Sequence, residues 1–247
     1  MQIIMLSGKA RVGKTYLAQK IAEYSFNMGQ LPVLLSLADG IKDAALEQGL
    51  TKEEHPKEYR EFCQKYGVEK REEDPDYWVG VLRNKINAQR VQEVEALEQD
   101  HPHWERVIII DDVRFMNEVA FGRECGATQI FISSGTRTLI DSDAEWRNHE
   151  SETLANNVEA EEKDYEEIFQ YLIVNEGNQE EFLDSVEPWI GVWCGIENPN
   201  LGTDEDCSCA ICTARRSGEP AAKYEVMDDF LRLLIEALEE DDDEDTK

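Results

Sequence analysis

The stretch "IIMLSGKARVGKTYLAQKI" (3–21) runs β-branched and long apolar residues into a loop bracketed by two glycines, and the loop opens into a helical pattern. No other feature constrains the fold as much. A short, continuous apolar run is the signature of a strand buried on both faces, and such strands belong to parallel sheets. A parallel neighbour is reached only through a crossover of a dozen or more residues, usually a helix. The spacing predicts that helix over 14–28, with Leu17, Ile21, Tyr24 and Met28 on one face and Gly29 as its stop.

The alternation continues. "LPVLLSLA" (31–38), "RVIIID" (106–111), "TQIFIS" (128–133) and "YLIVNE" (171–176) read as further buried strands. Asp76 can cap a helix whose apolar stripe is Trp78, Leu82 and Ile86, continued by Val94 and Leu97. Repeated strand, helix, strand predicts an α/β three-layer fold on a mostly parallel five-stranded sheet with right-handed crossovers. The charged segment 49–75 is too polar for the core and reads as a helical excursion over one side of the sheet, with a surface connection as the alternative. Past residue 187 turn formers and cysteines dominate, and Val226, Phe230, Leu233, Leu234 and Leu238 are spaced for one helical face. The expected organisation is a main domain over 1–187, a Cys-rich appendage with a C-terminal helix over 188–238, and an acidic, disordered tail over 239–247.

Residues 8–15, "GKARVGKT", satisfy G-x-x-x-x-G-K-[ST] between a strand and a helix, the context that gives this pattern its meaning. Backbone N–H groups from Gly8 through Arg11, Val12 and Gly13 to Lys14, Thr15 and Tyr16 are expected to wrap a phosphate chain, aided by the positive end of the helix. Lys14 then neutralises the β and γ phosphates, and Thr15 offers its hydroxyl to Mg²⁺. An acid should stand at the end of a neighbouring strand; Asp111 and Asp112 both qualify, and Arg114 follows within reach of a phosphate. The guanine-reading N-K-x-D pattern is missing, since "NKIN" (84–87) lies in a helical pattern and lacks the acid.

Charge and cysteines narrow the partners. Against 25 Lys and Arg stand 54 Asp and Glu, a net charge of −29, which repels a phosphate backbone and disfavours extended nucleic-acid binding. No run approaches the roughly 20 apolar residues of a membrane span, and the N-terminal residues show no cleavage signal. No membrane contact and a cytosolic location are therefore expected. Four of the six cysteines, Cys194, Cys207, Cys209 and Cys212, cluster as C-x12-C-x-C-x2-C. In a reducing compartment that pattern points to metal or free thiols. Four thiolates would close a structural zinc site, with reduced, partly buried thiols as the alternative.

Taken in order, "IIMLSGKARVGKT", "LADGIKDAA" (37–45), "YWV" (77–79), "DDVRFMNE" (111–118), "HESE" (149–152) and "VNEGNQEEF" (174–182) resemble the phage-type deoxynucleoside monophosphate kinases of the P-loop nucleoside-monophosphate-kinase superfamily, over residues 1–187. The resemblance implies ATP- and Mg²⁺-dependent transfer of a phosphoryl group to a deoxynucleoside 5'-monophosphate. It implies that Asp39, Lys42, Trp78, Arg114 and Glu152 surround the acceptor. Arg137 and Arg147 would lie on a closing lid and act with Lys14 and Arg114, while His149 and Glu152 fix its hinge. Asn175 and Gly177 would hold adenine through backbone contacts, and Asp112 matches the family's acid two residues before the arginine. Two other readings stand beside it: a kinase acting on a modified base such as hydroxymethyluracil in DNA, and a non-catalytic nucleotide-binding module. The base accepted is open, as is a homodimer.

Overall fold

The computed structural model describes residues 1–98, 104–135, 153–159 and 168–196. Among them lie the strands β1 (Gln2–Gly8), β2 (Leu31–Leu34), β3 (Arg106–Val113), β4 (Thr128–Ser133) and β5 (Tyr171–Val174). The helices are α1 (Lys14–Asn27), α2 (Asp39–Glu47), α3 (Pro56–Glu73), α4 (Tyr77–Glu98), α5 (Met116–Cys125), α6 (Thr153–Glu159) and α7 (Gln179–Trp193). The strands form one sheet in the order β2-β3-β1-β4-β5, and every pairing is parallel.

Because successive strand residues point to opposite faces, the apolar runs of the central strands β1, β3 and β4 feed two cores at once. Ile3 and Met5 of β1, Ile108 and Ile110 of β3 and Phe131 of β4 pack with Ile41, Trp78, Leu82, Ile86, Val119, Phe121, Leu154 and Val158 from α2, α4, α5 and α6. The alternate residues Ile4, Leu6, Val107, Ile109, Ile130 and Ile132 pack with Leu17 and Ile21 of α1 and Phe182, Val186, Ile190 and Trp193 of α7. The result is an α/β architecture of three layers, compatible with a P-loop-like fold. It brings the carboxyl ends of β1, β3 and β4 side by side, with the glycine loop on the middle one.

All five expected strands occur, and β2 is shorter than its apolar run. The chain leaves the sheet after Leu34, and Asp112 takes up the N–H groups of Leu37 and Ala38. The polar excursion is a helix, α3, lodged against α2 and α4. One expectation is corrected: Val94 does not continue the buried stripe of α4, being 52% exposed, because Ile86 is the last of the described stripe residues to reach the core. α7 runs on past residue 187, and its last turns are core, with Ile190, Trp193 and Cys194 buried. Arg137, Arg147, His149, Glu152, Cys207, Cys209, Cys212, the C-terminal helix and the tail lie outside the described residues. Among the described residues no helix is long and apolar enough to cross a membrane.

Candidate functional site at the carboxyl end of the sheet

Residues 9–13 carry the chain from β1 into α1 through a backbone that only some residues permit. Gly8 and Gly13 have φ of +144° and +102°. A Cβ on Gly8 would run into the Ile132 carbonyl of β4, and one on Gly13 would lie 2.9 Å from Asn175 Nδ2. Both glycines of the motif are therefore required by geometry. Lys14 Nζ folds back over the loop and donates to the carbonyls of Gly8 (2.9 Å) and Lys9 (2.8 Å). Thr15 Oγ1 donates to Asp111 Oδ2 at 2.9 Å, joining the loop to the end of β3.

The acidic pair divides its labour at an irregularity in that strand. Three residues of β1, Met5 to Ser7, oppose four of β3, Ile110 to Val113. The extra residue is a bulge, which re-aims side chains at a strand end. Asp111 faces the glycine loop. Asp112 faces the β2–α2 connection, where Oδ2 accepts from Ser36 Oγ (2.6 Å) and Ala38 N (3.0 Å), and Oδ1 accepts from Leu37 N (3.0 Å). Asp112, which the sequence also offers as a metal ligand, braces that loop in the structure. Among the described residues no group of three or more His, Cys, Asp or Glu forms a metal site. The hydroxyl of Thr15 and the carboxylate of Asp111 are nevertheless hard oxygen donors, and two protein ligands suffice for an ion that keeps most of its waters.

No family model matches this chain, and no curated protein does.

Beyond β3, the turn that carries Arg114 is held by Glu118. Its Oε2 accepts from Arg114 N (2.7 Å) and Phe115 N (3.0 Å), and the residue is 2% exposed. Burial pushes its carboxyl up to about 7, and the charge of Asp112 adds to the rise. The two N–H donors and Arg71, 3.9 Å away on α3, oppose that shift without cancelling it. The Arg71 guanidinium also lies over the Phe115 ring at 4.4 Å, tying the α3 excursion to the Arg114 turn. Neither residue was read as functional from sequence. Glu118 could have been, since a carboxylate three residues past a helix start is a capping position; Arg71 has no local signal.

The remaining expected residues fall into two groups. Asp39 opens α2, where it accepts from Ser36 N (3.0 Å) and Lys85 Nζ (2.9 Å); Lys42 lies one turn on, half-buried. Trp78, expected beside the acceptor, is 2% exposed and packed: its Nε1 donates to Gly67 O at 3.2 Å, and Tyr66 and Tyr77 flank its ring. On the other side, Asn175 follows β5 and reaches the glycine loop with its side chain, Nδ2 donating to Val12 O at 2.8 Å. Gly177 precedes Asn178, whose side chain caps α7 through the N–H groups of Glu180 and Glu181. The Tyr16 ring stands 6.4 Å from that of Phe182.

Cys194 caps α7 with no exposure, and burial pushes its thiol up to about 12. Burial of this kind keeps a thiol protonated, and the other three cysteines of the cluster lie outside the described residues.

Proposed function

We propose that this chain is a phosphotransferase that moves the γ-phosphoryl group of ATP onto a deoxynucleoside 5'-monophosphate with Mg²⁺. The observation that carries the reading is the Thr15–Asp111 hydrogen bond beside Lys14, which joins a complete G-x-x-x-x-G-K-T loop to an acid on the adjacent strand. Phosphoryl transfer asks little covalent chemistry of a protein and much positioning and positive charge. The loop amides and Lys14 hold the donor's β and γ phosphates. Thr15 and Asp111 would hold Mg²⁺, which when bound supplies charge neutralisation on those oxygens.

The acceptor occupies the opposite side of β3, between the start of α2 and the Arg114 turn, where Lys42 and Arg114 face its phosphate. An acceptor oxygen bonds to the γ phosphorus as the bond to the β–γ bridging oxygen breaks, giving ADP and the deoxynucleoside diphosphate. A phosphate nucleophile is already ionised, so no general base is required. Arg137 and Arg147 belong to the proposal as lid cations over the transferring group, and closure would exclude water.

The test is ADP release with dAMP, dGMP, dCMP, dTMP and modified pyrimidine monophosphates offered separately. At least one should support turnover, and Lys14→Ala should abolish it while circular dichroism stays unchanged. No turnover with any acceptor, or undiminished turnover in that variant, would overturn the assignment.

A further inference from the structure

We propose that Asn175 is a positioning residue that fixes the direction of the Gly13 N–H, and so completes the ring of donors around the donor phosphates. The inference rests on the phosphate-binding reading of the glycine loop. A trans peptide unit holds its C=O and N–H in nearly opposite directions. The Val12 carbonyl and the Gly13 N–H belong to one such unit. Asn175 Nδ2 takes that carbonyl at 2.8 Å across 163 residues of chain, so the N–H of the same unit is turned the other way. Glycine at φ +102° leaves this unit otherwise free to rotate, because no side chain on residue 13 opposes a flip.

Three further features show that the contact is built. Asn175 is 6% exposed, and its own N–H donates to Ser133 O at 2.8 Å, which locks the end of β5 to that of β4. The opposite amide orientation would set two oxygens face to face, so the donor assignment follows from the partner. Asn175 Oδ1 is buried with no hydrogen-bond partner among the described residues. An apolar residue at 175 would avoid the cost of that oxygen, but would leave the Val12 carbonyl without its donor. The amide is therefore explained by its Nδ2 alone.

Binding to the full-length chain, measured by calorimetry, tests this with two probes: ATP, and inorganic tripolyphosphate, which has no base to confuse the loop's roles. Asn175→Ala should weaken both about tenfold, the equivalent of one lost hydrogen bond. Asn175→Asp places a carboxylate against the Val12 carbonyl at pH 8, but burial raises its pKa, and once protonated it can donate as the amide did. Its affinity, taken as a ratio to wild type at each pH, should recover between pH 8 and pH 5.5. Glu176 and Glu181 on the neighbouring loop and helix and Lys14 beyond Gly13 are common to both proteins, so the ratio isolates position 175. If wild type binds neither probe, or Lys14→Ala binds both normally, the phosphate reading of the loop is lost. If wild type binds and Lys14→Ala does not, a pH-independent ratio for Asn175→Asp, or unweakened tripolyphosphate binding by a folded Asn175→Ala, overturns the positioning role alone.

Discussion

Asp111 and Asp112 are chemically identical neighbours with different partners, and substitution should separate them. Asp111→Asn keeps the shape beside Thr15 and removes the charge, so we expect turnover to fall at least a hundredfold with stability close to wild type. Asp112→Ala strips three donors of a charged acceptor and should cost about 3 kcal/mol in urea denaturation. Equal stability loss in both variants would contradict the division. Glu118 makes a pH-dependent prediction. The folded carboxyl titrates near 7 and the unfolded one near its ordinary value of 4.5, so between those values the folded state holds a proton that the unfolded state has lost. Stability attributable to this group therefore declines as pH rises through that window, by about 3 kcal/mol in all. Glu118→Gln has no such proton, and its stability relative to wild type should improve between pH 5 and pH 8; a constant difference would mean that the carboxyl titrates normally. How much of this was legible follows from strand parity. Alternation alone puts Asp111 and Asp112 on opposite faces, but which face carries α1 depends on the sheet order, and that is a long-range property.

Elements were more legible than residue roles. The apolar runs of β1, β3 and β4 marked central strands because both faces of the sheet are covered there, which leaves no polar alternation to confuse the pattern; β5 was legible from its apolar run although Leu172 and Val174 are exposed. Strand ends were less clear: just past β2 the Ser36 N–H turns to Asp39, and those of Leu37 and Ala38 to Asp112, distant in sequence. The α4 stripe was over-extended for a related reason, since helical periodicity in Val94 does not reveal whether a layer lies beneath it. The start of α7 shows local chemistry succeeding. Asn178 Oδ1 accepts from the N–H groups of Glu180 and Glu181, while Glu181 Oε2 takes the Asn178 N–H at 3.1 Å, a reciprocal cap. Asn178→Ala should lower the unfolding free energy by about 1 kcal/mol. A change within error would mean that packing of Phe182 and Val186 alone sets where the helix begins.

At the scale of the whole molecule, the charge of −29 is carried by a chain that, on the proposed reading, gathers anions at the carboxyl end of its central strands. Self-repulsion of that size is screened by salt, so the melting temperature should rise between 20 and about 500 mM NaCl. The same field argues against the DNA-base reading, which predicts retention on duplex DNA at physiological salt. Sequence showed this global property directly, whereas the meeting of Arg71, Phe115 and Glu118 required three elements to be folded against one another. The seating of Cys194 beneath the last turn of α7 has one more consequence. A sulfhydryl that is fully covered and reluctant to ionise can meet iodoacetamide only when the surrounding layer opens. Alkylation followed at that single peptide by mass spectrometry would thus time the protein's own breathing, with no engineered label.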